Sequence, residues 1–392
     1  MAGEFMKYRL TALTPLLVGD GQRLSPIDYM VWKDQVNVLN QQRIFRLLAK
    51  GPRLDGYLSQ LKKAEKLDFA SWGGFAQNFA GRRIPFEHAS SSGIWERARG
   101  ESLFIPTFHS GHAGPFLPGS ALKGALRTGL VFARTTPGSI KEIASYVDGE
   151  RTARNAGEEV EAHGIGEGGS SRARAFGVSD SDTVAASNFQ VYLLRVASLV
   201  AKGPGKFEVG WKQSQRGTVD TRRMEESTPV FAEMAIPGTA FEGHWNEKAL
   251  FQDRQVLDML RWREAPRRDR ILAAANDYAA KQLELHRQYA DSAGLPKLAE
   301  TVAALEARLA EIREAASGCL VSMGWGGGLL SKSAMLDTTN EDYRKILKNL
   351  SFYSRAISTG LPFPKTRRIV FLGNEPASLP GWSLLEVQDP AD

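Results

Sequence analysis

One stretch of the sequence carries more information about the fold than any other, namely Phe116-Leu117-Pro118-Gly119-Ser120-Ala121-Leu122-Lys123-Gly124-Ala125-Leu126-Arg127. Its Pro-Gly pair ends any preceding element, and Ser120 is a residue type that caps helices by accepting a backbone hydrogen bond. Leu122, Leu126 and Leu130 then recur at helical spacing. The stretch therefore predicts an amphipathic helix that begins near Ser120.

The predicted helix carries Lys123 and Arg127 one turn apart on one face. A helix N-terminus has unpaired N–H groups and the positive end of the helix dipole, and Gly124 allows close backbone approach, so the pattern is typical of a phosphate site. An ordinary capped helix with two solvated cations explains it equally well. The stretch is not a nucleotide-binding P-loop, because that motif needs Lys and Ser or Thr directly after its second glycine.

The composition of the 392 residues favours a multi-domain protein with local basic patches. The chain has 50 Lys and Arg against 44 Asp and Glu, a formal net charge of +6, and 42% hydrophobic residues. One core rarely exceeds about 250 to 300 residues, and a small positive charge suits patches rather than a polycation. The single cysteine, Cys319, excludes an intramolecular disulfide and a thiolate metal cluster. Because no long apolar run or secretion leader is present, we expect a cytoplasmic protein.

Several stretches predict strands. Residues 8–13 alternate between polar and apolar residues, and residues 189–198 are rich in strand-forming residues. Residues 230–236 and 239–245 are separated by a Pro-Gly turn dipeptide. This arrangement predicts a β-hairpin.

Other stretches have a different composition. Residues 72–114 and 151–174 are rich in glycine and polar residues without a sustained period, which predicts long loops, the second of them mobile. Residues 248–316 predict two helical arms divided at Gly294-Leu295-Pro296. The second arm carries an apolar heptad stripe, formed by Leu298, Val302, Leu305, Leu309 and Ile312. We favour a helix packed on its own domain over a docking surface for a neighbouring subunit.

Two stretches near the C-terminus combine cations with glycines or aromatics. Residues 324–332 read GWGGGLLSK, and residues 362–368 read PFPKTRR. Each alone is equally well explained as a solvated loop. Together with the first stretch they indicate a surface that tracks phosphates, with Lys332, Lys365 and Arg367 as further cations. The aromatic neighbours that could stack on bases are Phe116, Trp325 and Phe363.

Histidines and carboxylates leave catalytic and metal alternatives open. His88, His109 and His112 could move a proton in a metal-independent endoribonuclease, although a polar or phosphate-contacting role is favoured in such glycine-rich sequence. His109 and His112 lack the further ligands that zinc needs. Asp180 and Asp182 could hold Mg²⁺ or cap a turn, and the turn is favoured. The sequence therefore predicts no metal and no cofactor.

The order of the motifs resembles that of the RAMP superfamily of CRISPR proteins. The opening strand, followed by Thr14-Pro15, residues 19–21 and Asp28-Tyr29, is similar to the start of these proteins. Residues 117–127 are similar to their glycine-rich loop and helix, usually written PGSSLKGALR, with Ala121 where a second Ser is common. Later landmarks are similar as well, and the last of them resemble the family of fifth Csm subunits: residues 178–181, 238–243, 324–328, 363–367 and 380–382.

The resemblance implies an α+β protein of two ferredoxin-like (RRM-like) domains. These would cover residues 6–200, with the glycine-rich loop, and 201–392, with the helical segment 248–316. It further implies a cytoplasmic subunit of the type III-A Csm interference complex that binds the three-prime end of the guide RNA (crRNA), caps the filament of backbone subunits and supports guide maturation. Target RNA is a further implied partner, and no catalysis, metal or cofactor is implied.

Carried over residue by residue, the resemblance implies RNA contacts at one set of residues in the first stretch and another near the C-terminus: Gly119, Ser120, Lys123, Gly124, Arg127, Lys332, Lys365 and Arg367. Classical RRM base stacking is not expected, because the Gly-Phe-Gly-Phe type of motif is missing. A guide-processing endoribonuclease and a purely protein-binding assembly adaptor remain as alternatives.

Overall fold

A computed structural model describes residues 5–63, 66–67, 78–147, 156–203, 205–213, 220–358 and 360–388. Helices and strands are mixed along this part of the chain, which confirms the predicted α+β class. The strands are β1 (Phe5–Ala12), β2 (Arg23–Leu24), β3 (Tyr29–Trp32), β4 (Gln35–Leu39), β5 (Ala80–Pro85), β6 (Ile105–Pro106), β7 (Ser110–Gly111), β8 (Gly114–Pro115), β9 (Phe176–Val178), β10 (Phe189–Gly203), β11 (Lys206–Lys212), β12 (Asp220–Thr221), β13 (Val230–Ala235), β14 (Ala240–Glu247), β15 (Cys319–Ser322), β16 (Thr366–Leu372), β17 (Glu375–Ser378) and β18 (Trp382–Gln388). The helices are α1 (Gln41–Leu48), α2 (Leu54–Lys63), α3 (Ser90–Arg97), α4 (Gly119–Arg134), α5 (Pro137–Val147), α6 (Ala156–Ile165), α7 (Arg254–Met259), α8 (Arg268–Ala293), α9 (Pro296–Ala315), α10 (Glu341–Asn349) and α11 (Ser351–Ser358).

Five strands form a first, antiparallel sheet in the order β15-β18-β1-β14-β9. β1 lies at its centre and pairs with β14 on one side and β18 on the other. Tyr8 and Leu10 are buried, whereas Lys7 and Arg9 are exposed. This alternation places one face of the strand on the core, and the predicted first strand is confirmed.

A second sheet has the order β12-β11-β10-β16-β17, and β13 also pairs with β10. β10 connects two apolar cores, because Phe189 and Leu194 lie in one of them and Val191 and Leu193 lie in the other. Both faces of the strand are therefore covered. This explains why its sequence reads as a nearly continuous apolar run.

The predicted hairpin at residues 230–245 is wrong. β13 pairs with β10 in the second sheet, whereas β14 pairs with β1 and β9 in the first. The turn glycine, Gly238, donates its N–H to the carbonyl of Ala12 at 2.7 Å. All six residues of β13 are buried, so the strand lies between layers and the turn passes the chain from one sheet to the other.

The predicted helix of the first stretch is confirmed as α4. Leu122 and Leu126 are fully buried in the same core as the buried face of β1. Gly129 lets α4 approach α8 closely, because a Cβ atom there would lie 3.0 Å from the Cα of Ala275. The two helices thus pack together against the first core.

The helical segment predicted over residues 248–316 is confirmed. Gly294 ends α8 in the left-handed conformation with φ of 64°, and Pro296 begins α9. The five residues of the heptad stripe are each at most 4% exposed. The stripe packs within this chain, as favoured from the sequence, and is not available for docking.

The prediction of a mobile loop is wrong for Ala156–Ile165, which forms α6. Nε of Arg134 donates to the carbonyl of Gly164 at 2.7 Å. A Cβ atom on Gly164 would lie 2.9 Å from Cγ1 of Val131. This glycine therefore serves close helix packing, and residues 151–155 of the predicted loop lie outside the described residues.

The loop prediction over residues 72–114 is also wrong in part. α3 and the strands β5 to β8 lie within residues 78–114. Residues 72–77 lie outside the described residues. Short strands of two residues, such as β7 and β8, give no periodic signal that sequence reasoning can detect.

The first sheet combines β1 and β9 with strands that follow residue 200, and β10 of the second sheet itself runs through that position. These two sheets are therefore shared between the two halves of the chain. The division into domains 6–200 and 201–392 and the ferredoxin-like detail stay predictions. In the part of the chain that the structure describes, no helix has the length and apolar character needed to cross a membrane.

Candidate nucleic-acid interface

α4 begins at Gly119 because a distant loop caps it. Oδ1 of Asp180 accepts a hydrogen bond from the N–H of Gly119 at 2.8 Å, and Oγ of Ser181 accepts one from the N–H of Leu117 at 2.9 Å. Ser120 is exposed within the first turn and makes no cap hydrogen bond, so its predicted capping role is wrong. Asp180 caps the start of a distant helix, whereas the sequence favoured a cap of its own turn.

The glycine at position 119 is required by packing. A Cβ atom there would lie 2.4 Å from the carbonyl oxygens of Ser179 and Val178. No real Cβ contact is that short, so the loop after β9 can sit on the helix start only when residue 119 has no side chain. Gly119 is therefore explained by the fold without a ligand.

The ammonium group of Lys123 is held by the protein itself. Its Nζ donates to the carbonyl of Phe176 at 2.9 Å and lies 5.2 Å from the centre of the Phe176 ring. Burial, followed by the nearby charges of Lys248 and Arg127, lowers the pKa of Lys123. The half-buried cation thus tethers α4 to β9.

The other predicted cation of α4 is paired as well. Arg127 forms an ion pair with Glu161 of α6. A different face of α4, made of small residues, lines an open cleft: Ala121, Gly124, Ala125 and Thr128. At about 100° per residue, Lys123 and Arg127 are turned by more than about 100° from the centre of that face. The predicted cations and the cleft therefore lie on different sides of one helix.

The cleft has a volume of about 860 Å³, within the range of ligand-binding sites. Its walls are the small-residue face of α4 and residues from the segments 17–23, 101–107 and 322–332. Its charged lining residues are Arg23, Glu101, Lys332 and Arg368. Cations therefore outnumber acids by three to one, which favours an anionic ligand.

Two of these cations lie on aromatic rings. The guanidinium carbon of Arg368 is 4.1 Å from the centre of the Trp325 ring, and that of Arg23 is 4.3 Å from the centre of Phe104. Burial lowers the pKa of Arg368, and its Nε has no hydrogen-bond partner among the residues that the structure describes. Stacked guanidinium and aromatic planes beside free donors are typical of surfaces that bind single-stranded RNA.

Close contacts explain the glycines of residues 324–328. Gly324 has φ of 80°, and a Cβ atom there would lie 2.3 Å from the carbonyl oxygen of Leu17. The same oxygen accepts a hydrogen bond from the N–H of Trp325 at 2.7 Å. Gly326 has φ of 100°, and a Cβ atom there would lie 2.7 Å from Cγ of Pro380. These contacts fix Trp325 in the wall of the cleft.

The predicted cations Lys332 and Lys365 have different surroundings. Lys332 is exposed at the cleft, and its side chain makes no hydrogen bond or ion pair with the residues that the structure describes. Lys365 is half-buried and is not part of the cleft lining. Its carbonyl oxygen accepts a hydrogen bond from Leu199 at 2.8 Å, which ties it to β10.

Arg367 is only 6% exposed and lies inside the fold. Its Nε donates to Nδ1 of His286 at 3.1 Å, and its Nη1 donates to the carbonyls of Pro364 and Thr366. The guanidinium also stacks on Tyr289 at 4.5 Å. Burial lowers the pKa of Arg367 to about 10. Its surroundings explain this arginine without an external phosphate.

The sequence analysis included Arg368 only as one cation of the stretch 362–368 and did not identify Arg23, although a signal for the first was available. Side chains alternate along a strand, so Arg367 and Arg368 of β16 must face opposite sides. Recognising Arg367 as the inward residue would have assigned Arg368 to the surface. For Arg23 no comparable periodic signal exists, because β2 has two residues.

Of the three predicted stacking aromatics, Trp325 lies in the cleft. Phe116 packs edge-on against His109, with ring centres 4.6 Å apart. Phe363 is buried, and its ring centre is 5.2 Å from that of Tyr353. The rings of Phe116 and Phe363 therefore pack against His109 and Tyr353.

The three candidate catalytic histidines do not line the cleft. Nδ1 of His109 is 3.7 Å from Oδ2 of Asp20, and Nδ1 of His88 is 2.8 Å from Oγ of Ser90. His112 is exposed. Over the described ranges, no three His, Cys, Asp or Glu side chains are grouped so that they could hold a metal ion.

A sequence profile of the RAMP superfamily matches residues 9–281, more than two thirds of the chain. The chain therefore belongs to the RAMP superfamily, which confirms the recognition from its motifs. No curated protein matches the chain by sequence.

Two solved structures have a similar fold. One is a chain of the cryo-EM structure of a Csm-crRNA-target RNA ternary complex in a type III-A CRISPR-Cas system, with 19% identity and a TM-score of 0.63 over 97% of this chain and 100% of that chain. The other is Csm5 of T. onnurineus, with 17% identity and a TM-score of 0.60 over 96% and 99% of the two chains. The shared fold thus extends over nearly the whole length.

Proposed function

We propose that the chain is a non-catalytic RNA-binding subunit of a type III-A CRISPR Csm complex. It binds the three-prime part of the guide RNA, caps the filament of neighbouring backbone subunits and thereby supports guide maturation. Membership of the RAMP superfamily and the fold similarity to Csm5 support this assignment. Guide RNA, backbone subunits and target RNA are the proposed partners.

The observation that carries the RNA-binding proposal is the cleft. Arg23 and Lys332 are exposed cations suited to phosphates, and the stacked pair of Trp325 and Arg368 offers a planar surface to a base. Gly124 and its small neighbours on α4 leave room for the RNA backbone to approach. Among the residues expected from the family resemblance, we assign direct RNA contacts to Gly124 and Lys332.

The test is the salt dependence of RNA affinity. The full chain is titrated into a fluorescently labelled guide-repeat RNA at several salt concentrations, without added metal, and anisotropy is recorded. Two phosphate contacts with a single strand, by Arg23 and Lys332, predict a slope of log affinity against log salt of about −1.4. Arg23→Ala with Lys332→Ala should bring the slope close to zero and weaken binding about tenfold.

A matched control is Lys297→Ala, which removes an exposed cation of α9 outside the cleft and should leave the slope unchanged. The RNA of each sample is also run on a denaturing gel and should stay intact. Discrete cleavage that is lost in His109→Ala would instead establish an endoribonuclease. Salt-independent or absent RNA binding, even with a backbone subunit present, would favour the protein adaptor.

A further inference from the structure

A second pocket lies apart from the cleft and shares no lining residue with it. Its volume is about 390 Å³. Its apolar walls include Ile94 of α3, Leu193 of β10 and Phe371 of β16. Leu193 and Phe371 are members of a buried core, so the pocket opens into the interior between α3 and the second sheet.

A buried arginine reaches this pocket. Arg195 of β10 is only 4% exposed, and its Nη1 donates to the carbonyl oxygen and to Oγ of Ser227, the latter at 2.8 Å. Its Nε and Nη2 donate to no group in the described part of the chain. The guanidinium lines the pocket, and its carbon lies 5.8 Å from the centre of the Phe371 ring, so these donors are available to a ligand in the pocket.

The charge balance of the pocket suits one carboxylate. Arg195 and the exposed Arg97 supply two positive charges, and Glu225 supplies one negative charge. Burial is the main cause that lowers the pKa of Arg195, with Glu225 opposing and Arg97 adding to the effect. One net positive charge matches a single carboxylate, whereas an acid at the rim repels a phosphodiester chain.

A further donor stands at the rim. Oδ1 of Asn374 accepts a hydrogen bond from Oγ of Ser90 at 2.6 Å. The amide NH₂ group of Asn374 is therefore left for another acceptor. Together with the guanidinium, it supplies hydrogen-bond donors to a pocket whose lining also includes apolar side chains.

We propose that this pocket docks a peptide segment of a protein partner in which an Asp or Glu carboxylate is flanked by apolar side chains. The carboxylate binds side-on to Nε and Nη2 of Arg195, the fork that Ser227 leaves free. The flanking apolar side chains lie against Ile94 and Met224, which are half-buried. This docking site is separate from the RNA cleft and does not depend on RNA binding.

The test uses two blocked tripeptides, acetyl-Leu-Glu-Leu-amide and acetyl-Leu-Gln-Leu-amide. Each is titrated into the full chain and followed by calorimetry or by changes in the NMR spectrum. The glutamate peptide should bind saturably and at least about tenfold more tightly than the glutamine peptide. Arg195→Lys keeps the charge but loses the fork, and it should weaken the glutamate peptide about tenfold.

Circular dichroism shows whether Arg195→Lys folds. If it does not fold, a second variant, Arg97→Ala, still tests the proposal. Arg97→Ala changes an exposed residue and should cause a smaller, salt-dependent loss of glutamate-peptide affinity. Equal binding of the two peptides, or no saturable binding of either, overturns the proposal. Tighter, Arg195-dependent binding of uridine 5′-monophosphate would also overturn it and would identify a nucleotide site.

Discussion

The two faces of α4, the helix of the stretch 116–127, have different roles. On one face, Lys123 donates to a backbone carbonyl and Arg127 forms an ion pair with Glu161. The other face has no charge and lines the cleft, whose cations come from distant segments of the chain. A motif of glycines and cations can therefore serve the packing of a helix within the protein and not the binding of a ligand. Availability of a cation to solvent, rather than its place in the motif, indicates a binding surface.

The largest expected effect concerns the packing side of this comparison. Gly119→Ala should lower the free energy of unfolding by about 3 kcal/mol, because its Cβ atom would overlap the carbonyls of Ser179 and Val178. Urea denaturation followed by circular dichroism measures the change. The control is Gly124→Ala, whose Cβ atom meets open space and which should stabilise the helix by about 0.5–1 kcal/mol. Equal unfolding midpoints for the two variants would contradict the packing explanation of Gly119.

The adjacent Arg367 and Arg368 of β16 allow a cation held by the fold to be compared with a cation of the cleft. Arg367→Ala should cost about 2 kcal/mol of unfolding free energy, because His286 and two carbonyls lose their hydrogen-bond donor in the interior. Arg368→Ala should cost little stability but weaken guide-repeat RNA binding about fivefold, because the stacked pair with Trp325 is lost. Urea denaturation and anisotropy on both variants separate the effects. If one variant had the larger loss of both stability and RNA affinity, the assignment of Arg367 to the interior and Arg368 to the cleft would be wrong.

Local periodicity explains what the sequence could predict. β1 and α9 have alternating or heptad patterns over many residues, and their observed bounds lie within a few residues of the predicted ones. The first arm was predicted from residue 248, whereas α8 begins at Arg268. The hairpin at 230–245 was mispredicted because the partner of a strand is chosen by distant segments. Here β13 joined β10 and β14 joined β1, although the turn between them has the chemistry of a hairpin.

The same reasoning applies to the cleft. Its wall forms where the carbonyl of Leu17 meets Gly324 and Trp325, residues more than 300 positions apart in the sequence. The sequence indicates that residues 324–332 carry glycines and a lysine, but it does not reveal what they face. Lys332 was identified because it lies in that motif, whereas Arg23 acquires its place only through the tertiary fold.

The cation face of α4 provides a smaller effect. Lys123→Ala with Arg127→Ala should lower the free energy of unfolding by about 1 kcal/mol, because one charged hydrogen bond and one exposed ion pair are lost. Guide-repeat RNA affinity should change by less than about threefold, since only long-range attraction is removed. Anisotropy at two salt concentrations checks this. A loss that exceeds that of Arg23→Ala with Lys332→Ala would place the RNA on the opposite face, where the family resemblance puts it.

A pH-dependent effect tests the role of the buried Arg367 through its neighbour His286. Burial, with Arg367 adding to it, holds the pKa of His286 well below its usual value near 6.5. The unfolded chain therefore binds a proton below about pH 6.5 that the folded chain does not, so the free energy of unfolding falls as the pH falls. By pH 5.5 this one residue should cost about 1.4 kcal/mol relative to pH 7.5. His286→Gln should be less stable at pH 7.5 but should lose about 1.4 kcal/mol less than the unmodified chain between the two pH values, as measured by urea denaturation. Equal losses would mean that His286 is protonated in the folded protein, and Arg367 could then not donate to its Nδ1.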